Sequence, residues 1–205
     1  MSVLVTKPAP FFFDSDKTFS AVTPDGSIDN KFNFKNVRKD KYAVVFFYPM
    51  DFTFVCPSEI IAFNNRLDEF KKRNVEVFSV SVDNPYVHVK WRETPVNEGG
   101  IGPVGFTMVS DIKGEIIRAY DVETDAGVAL RGSFLIDKEG IVQHQVINNL
   151  PLGRNVDEMV RMVDALQFTE EFGEVCPANW QKGTDGMKPD TKGVAIYLAS
   201  HAKDL

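Results

Sequence analysis

The arrangement of apolar and polar positions marks out a core early in the chain. Tyr42-Ala43-Val44-Val45-Phe46-Phe47-Tyr48 is continuously apolar and rich in β-branched and aromatic residues. That is the pattern of a central strand buried on both faces, and Pro49 ends it. Ile60, Phe63, Leu67 and Phe70 then recur at three- and four-residue spacing, which predicts one helix with a single apolar face. Pro57 suits its first turn, where a missing N–H costs nothing, and Glu59 suits the positive end. Lys71, Lys72 and Arg73 suit its last turn. A second apolar run over 75–82 predicts the next strand. Strand, helix, strand is a βαβ unit, which requires parallel pairing.

Flanking patterns extend this unit. Residues 19–22 form a short strand that turns at Pro24-Asp25-Gly26. Asn84 and Pro85 open a helix reaching Trp91 or Glu93. A strand over 107–109 and a short helix over 113–120 follow. Residues 132–137 and 141–147, separated by Lys138-Glu139-Gly140, form an antiparallel hairpin. Asn155 opens a helix whose buried face is Val156, Met159, Val160, Val163 and Leu166. This order predicts an α/β protein with a thioredoxin-like fold, a mixed central sheet flanked by helices. From Glu171 the periodicity fades among Gly173, Pro177, Gly183, Gly186 and Pro189. Residues 171–205 are expected to form an extended C-terminal arm ending in a short helix, attached to a domain of residues 1–170. Such an arm buries little of itself, and a second subunit is its natural resting surface.

Composition narrows the function. The 205 residues are 43% hydrophobic and 25% charged, as in a globular domain with a substantial core. A net charge of −6 argues against a general nucleic-acid binder. No apolar run approaches the roughly 18 to 20 residues that span a bilayer, and Pro8 and Pro10 interrupt anything resembling a signal peptide. A cytoplasmic protein, with no membrane partner, is the expectation. Two cysteines, Cys56 and Cys176, are too few for a disulfide scaffold and too far apart for CxxC or zinc spacing. His88, His144 and His201 are scattered, so no metal site is expected.

Cys56 carries the candidate chemistry. It falls at or near the N-cap of the predicted helix, where unpaired N–H groups and the helix dipole favour a thiolate, the nucleophilic form of the side chain. Thr53, three residues upstream, could donate to the sulfur or orient an incoming oxygen. Its plainer role is a turn hydroxyl bonded to its own backbone. Arg131 could stabilise a thiolate if its strand neighbours the Cys56 loop; otherwise it is a surface ion pair. Pro49 could shape the loop and shield the sulfur. Cys56 itself could be a small buried hydrophobe. Cys176 could be an incidental thiol, part of a structural disulfide, or half of a redox-active pair.

Pro49, Thr53 and Cys56 spell P-x-x-x-T-x-x-C, with Glu59, Trp91, Arg131 in Leu-Arg-Gly-Ser-Phe, and Val175-Cys176-Pro177-Ala178-Asn179-Trp180 in support. With these motifs the chain resembles, over nearly its whole length, the typical two-cysteine peroxiredoxins of the bacterial alkyl hydroperoxide reductase C type. The resemblance implies a peroxidase acting on hydrogen peroxide and organic hydroperoxides, with no bound cofactor. It implies that Cys56 is the peroxidatic cysteine and becomes a sulfenic acid, while Thr53 and Arg131 hold the peroxide. Cys176 of a partner subunit would then resolve that acid as an intersubunit disulfide. Thioredoxin, or alternatively a dedicated flavoprotein reductase, would restore the thiols. Homodimers that assemble as rings of five are implied too. A holdase chaperone ring is the alternative from another functional class, and the absence of CxxC argues against a disulfide oxidoreductase. Gly99-Gly100-Ile101-Gly102 resembles the Gly-Gly-Leu-Gly insertion of hyperoxidation-sensitive members. Leu198 after Tyr197 stands where those members have phenylalanine, which implies weaker packing of the last helix. Ser58 replaces a common threonine. The insertion and the Cys176 region look more like the members served by thioredoxin.

Overall fold

The computed structural model describes residues 2–11, 15–203 and 205. It divides into two compact units, Met1–Val156 and Asp157–Leu205.

The first unit is built on the strand that the apolar run predicts. β3 (Tyr42–Phe47) is buried at every position. It pairs in parallel with β4 (Val75–Ser81) and antiparallel with β6 (Arg131–Ile136). Each backbone edge of β3 is thus satisfied within the sheet. β5 (Thr107–Ser110) adds to β4 in parallel. β1 (Phe19–Val22), β2 (Ile28–Phe32) and β7 (Val142–Asn148) complete a seven-stranded mixed sheet in the order β2-β1-β5-β4-β3-β6-β7. The βαβ unit and the β6–β7 hairpin form as expected, and the turn after β1 leads into a further strand, β2. The β1–β2 turn uses Gly26 at φ 89, a conformation glycine adopts without a Cβ penalty.

Two elements escape the periodicity argument. β2 is mostly exposed or half-buried, and α1 (Phe34–Arg38) is one short turn capped by the Asn33 side chain. The single predicted helix after Pro57 is instead two, α2 (Cys56–Asn65) and α3 (Leu67–Lys72). The break is at Arg66, whose backbone leaves helical geometry at φ −100, ψ 4. The apolar face survives the break: Ile60, Phe63, Leu67 and Phe70 are all buried.

Side chains of β3 point alternately to opposite faces of the sheet. Val45 and Phe47 enter a core with Phe19, Phe32, Phe34, Phe78, Tyr120 and Phe134. On the opposite face Phe46 stacks on Phe63 of α2, with ring centroids 4.0 Å apart and planes 7° from parallel. That stack fixes α2, and therefore its first residue, against the centre of the sheet. α4 (Pro85–Glu93) is capped by the Asn84 side chain, as Asn84-Pro85 predicts. α5 (Glu115–Ala119) starts where the Asp111 carboxylate accepts the N–H groups of Glu115, Ile116 and Ile117.

α6 (Val156–Phe172) begins at the boundary between the units and ends at Gly173, whose φ of 66 is a helix-terminating conformation. It therefore includes Glu171 and Phe172, where the sequence places the start of the arm. In the second unit Trp180 is buried and packs on Phe168 with centroids 4.9 Å apart. Val175 and Met187 form an isolated bridge. α7 (Thr191–His201), capped by Asp190, has no buried residue. No described helix is long and apolar enough to cross a membrane.

Candidate active site

Cys56 is the first residue of α2 and is fully buried. The N-cap is Val55 rather than Cys56, and it makes no side-chain cap hydrogen bond. No capping side chain therefore competes for the positive end of the helix.

Thr53 lies in the loop between β3 and α2. Its Oγ1 is 2.9 Å from Cys56 Sγ and 2.8 Å from the Met50 carbonyl oxygen. A hydroxyl has one proton. Donating to Met50, Thr53 can accept from a thiol; rotated, it can donate to a thiolate. The turn role and the sulfur-facing role belong to the same side chain.

Arg131, the first residue of β6, is 3% exposed and so is no surface ion pair. Its Nε donates to the Leu150 carbonyl at 2.6 Å and its Nη1 to Glu59 Oε2 at 2.6 Å. The same Nη1 is 3.4 Å from Cys56 Sγ. β6 reaches the cysteine because it pairs with β3, whose C-terminal end leads into the Cys56 loop.

Glu59, expected to complement the helix dipole, is buried and has a larger task. It accepts from Arg131 and from a second arginine, Arg154, which the sequence reading does not single out. Arg154 donates its backbone N–H at 2.9 Å, Nε at 2.8 Å and Nη2 at 2.9 Å to the Glu59 carboxylate. Its Nη1 donates to the Gly132 carbonyl at 2.6 Å and to Ser133 Oγ at 3.0 Å. Its guanidinium also lies over the rings of Phe46 and Phe63. Burial opposes ionisation of Glu59, but the Arg154 hydrogen bonds and charge outweigh it and hold the carboxyl below its usual range. Two guanidinium groups against one carboxylate leave a net positive cluster beside the Cys56 sulfur. Gly132, whose carbonyl Arg154 uses, has Val122 and Phe134 packed where a Cβ would sit, 3.0 and 3.1 Å away. No periodicity points to Arg154. The only sequence signal is a glutamate in the first turn of a helix that begins at a candidate nucleophile.

Pro49 is buried at the exit of β3, where its missing N–H cannot continue the strand ladder. The structure gives it no direct bond to the sulfur. The loop beyond it is anchored by Asp51, a second residue not anticipated. Asp51 accepts from Tyr48 Oη at 2.7 Å and meets His88 Nδ1 at 2.7 Å. Its backbone N–H donates to Asp83, which also accepts from Ser81 Oγ. His88 is therefore buried with two carboxylates whose oxygens lie within 4.8 Å of its ring nitrogen, rather than isolated. Burial, with the charge of Asp51, pushes the Tyr48 phenol well above its ordinary range, so Tyr48 acts as the donor. Phe52 turns the loop at φ 54 and packs 5.8 Å from Trp91.

Cys176 lies in the second unit and is half-buried. Its Sγ is 3.5 Å from the Ala165 carbonyl oxygen and 3.8 Å from Thr169 Oγ1. Both cysteines are free thiols. The structure thus brings Thr53, Cys56 and Arg131 together, and Cys176 has surroundings of its own.

Comparison with known proteins shows the family. Residues 5–145 match the AhpC/TSA family, and residues 165–200 match the C-terminal domain of 1-Cys peroxiredoxin. Alkyl hydroperoxide reductase C of Buchnera aphidicola subsp. Baizongia pistaciae is 54% identical over 202 residues, covering 98% of this chain and 99% of its own. The crystal structure of the reduced Plasmodium vivax 2-Cys peroxiredoxin is 49% identical, with a TM-score of 0.91, and covers 97% of this chain and 100% of its own. Plasmodium yoelii thioredoxin peroxidase I is 49% identical, with a TM-score of 0.74, over 87% of this chain and 99% of its own. The chain therefore belongs to the AhpC/TSA family, as a thiol-dependent peroxidase and a peroxiredoxin of the alkyl hydroperoxide reductase C type.

Proposed function

We propose that Cys56 is the nucleophile of this peroxidase. The observation that carries the proposal is the convergence of Thr53 Oγ1 at 2.9 Å and Arg131 Nη1 at 3.4 Å on its sulfur. The thiolate attacks the terminal oxygen of a hydroperoxide. The S–O bond forms as the O–O bond breaks, and the departing oxygen takes a proton to leave as water or an alcohol. Cys56 is left as a sulfenic acid. Arg131, held by Glu59 and Leu150, places positive charge where the peroxide oxygens gain electron density, and Thr53 orients them. Pro49 shapes the loop. No cofactor enters these steps.

Cys176 is then the resolving thiol, supplied by the partner subunit of a homodimer. It condenses with the sulfenic acid, releasing water and forming an intersubunit disulfide. A dithiol reductant, thioredoxin, reduces that bond by exchange; the name of the Plasmodium yoelii relative supports this choice over a flavoprotein reductase. The arm over 171–205 delivers Cys176, and Phe54, 97% exposed, with the exposed Tyr86, supports further assembly of dimers into a ring of five in the cytoplasm. Peroxide treatment of the reduced protein should give a disulfide-linked dimer on a non-reducing gel. Persistent monomer overturns the role of Cys176, and peroxidase turnover surviving Cys56→Ser overturns that of Cys56.

A further inference from the structure

Asp25-Gly26 and Asp185-Gly186 are the two Asp-Gly steps of the chain. At such a step the glycine nitrogen can attack the γ-carboxyl carbon of the aspartate, since no Cβ shields it. The C–N bond forms, and one carboxyl oxygen leaves as water with the amide proton and the carboxyl proton. The product is a cyclic succinimide. Water then opens the ring at either carbonyl. One opening restores aspartate. The other leaves the main chain running through the β-carbon, as isoaspartate. Nothing is oxidised or reduced, and the net change is an isomerisation. Attack requires a carboxyl that can turn toward the next nitrogen, and a nitrogen not hydrogen-bonded elsewhere.

The fold treats the two steps differently. Asp25 Oδ1 accepts from Thr23 Oγ1 at 2.5 Å, from the Ser27 N–H at 3.1 Å and from Ser27 Oγ at 2.8 Å. The Gly26 N–H donates to the Thr23 carbonyl at 2.9 Å, so the nitrogen is occupied too. Those bonds to the carboxylate, that from Thr23 foremost, hold Asp25 down at about 2 and keep it charged, which repels a nucleophile. Asp185 lies outside any helix or strand, and its side chain is 78% exposed. Among the described residues its carboxylate meets only His201 Nε2, at 3.4 Å, and the Gly186 N–H has no acceptor. Packing forbids a larger residue at 186, which would slow the attack. A Cβ there would lie 2.5 Å from Phe168 Cζ and from Glu174 Oε2. Glu174 can swing aside, but Phe168 is held by Phe172 and Trp180, with ring centroids 4.9 Å from each. The fold thus requires glycine at 186 and holds the preceding carboxyl loosely.

We propose that Asp185 is a modification site at which the folded protein forms isoaspartate spontaneously, while Asp25 is protected. Isoaspartate inserts one methylene into the main chain between residues 185 and 186. Gly186 has no room to shift toward Phe168, and the next residue, Met187, exchanges backbone hydrogen bonds of 2.8 and 3.0 Å with Val175. The longer chain breaks that pairing. The change therefore loosens the segment that carries Cys176, whatever the role of that thiol.

Ageing the reduced full chain in neutral heavy-oxygen water, beside synthetic peptides of residues 18–31 and 183–192, tests the site. Each ring opening adds one heavy oxygen, and electron-transfer fragmentation of the matching tryptic peptides tells isoaspartate from aspartate and locates it. In the folded chain the rate at Asp185 should stay within about two-fold of its peptide. The rate at Asp25 should fall at least about five-fold below its own, the factor for opening one hydrogen bond of ordinary net strength. Equal suppression at both sites, or suppression at neither, overturns the proposal. The isoaspartate form, separated by chromatography, should exchange the N–H groups of Val175 and Met187 at least about five-fold faster than fresh protein, by the same factor. Asp185→Glu closes the five-membered ring in neither step and should age without that change. Unaltered exchange in the isoaspartate form, or an equal rise in aged Asp185→Glu, overturns the loosening of the segment.

Discussion

Glu59→Gln is the most informative perturbation of the site, because one carboxylate holds both arginines. Glu59 is 3% exposed and accepts four hydrogen bonds, one from Arg131 at 2.6 Å and three from Arg154 at 2.8 to 2.9 Å. Glutamine removes the charge and turns an NH₂ group toward guanidinium donors. Two buried cations are then uncompensated, a defect that costs about 3–5 kcal/mol. In a chain of this length that is a fall in Tm of roughly 6–20 °C. The pH dependence carries a second test. The folded state holds the Glu59 carboxyl below its usual range, so the wild type gains stability from it above the unfolded pKa of ~4.3. That gain is lost as pH falls through the lower, folded value. Glutamine has no such dependence. Urea denaturation of both reduced proteins, at one protein concentration, should show the full difference near neutrality and a shrinking one in acid. A neutral-pH difference below about 1 kcal/mol, or a difference that acid leaves unchanged, refutes the reasoning, since breaking a buried pair cannot be that mild.

Replacing Arg131 with methionine should slow the second-order reaction with peroxide by roughly 10²–10³-fold, the cost of losing one preorganised donor; competition kinetics within three-fold of wild type would contradict its role. Thr53→Val should slow the same step by roughly 10²-fold while leaving stability within about 1 kcal/mol, because Thr53 is only half-buried. An unchanged rate would return Thr53 to a turn hydroxyl bonded to Met50. Phe63→Ala removes the ring stacked on Phe46 and should cost about 3–5 kcal/mol in denaturant unfolding; a loss below 1 kcal/mol would mean that the stack does not seat α2. Cys176→Ser should keep the first, single-turnover reduction of peroxide and lose the intersubunit disulfide, and a crosslinked dimer in that variant would point to another pairing.

What the chain alone determined follows from local physics. Continuous burial of 42–48, helical spacing at Ile60 and Phe63, and Pro57 in a first turn fixed a strand, a helix and a cysteine at their junction before any tertiary contact was known. Periods of two and 3.6 are properties of short segments, so a single sequence exposes them. Short or weakly amphipathic pieces such as β2 and α1 left little such trace. The break at Arg66 did not disturb the apolar spacing, so the pattern could not reveal it. The motif pointed to Thr53 and Arg131, but whether Arg131 was a surface ion pair or a neighbour of the sulfur depended on β6 pairing with β3, a contact between segments far apart in the chain. Arg154 and the Asp51–His88–Asp83 cluster emerged only from the fold. A buried charge is defined by what surrounds it, and for Glu59 those partners arrive from β6 and the loop after β7. The sequence placed the cysteine at the start of a helix; tertiary packing supplied the positive charge around it.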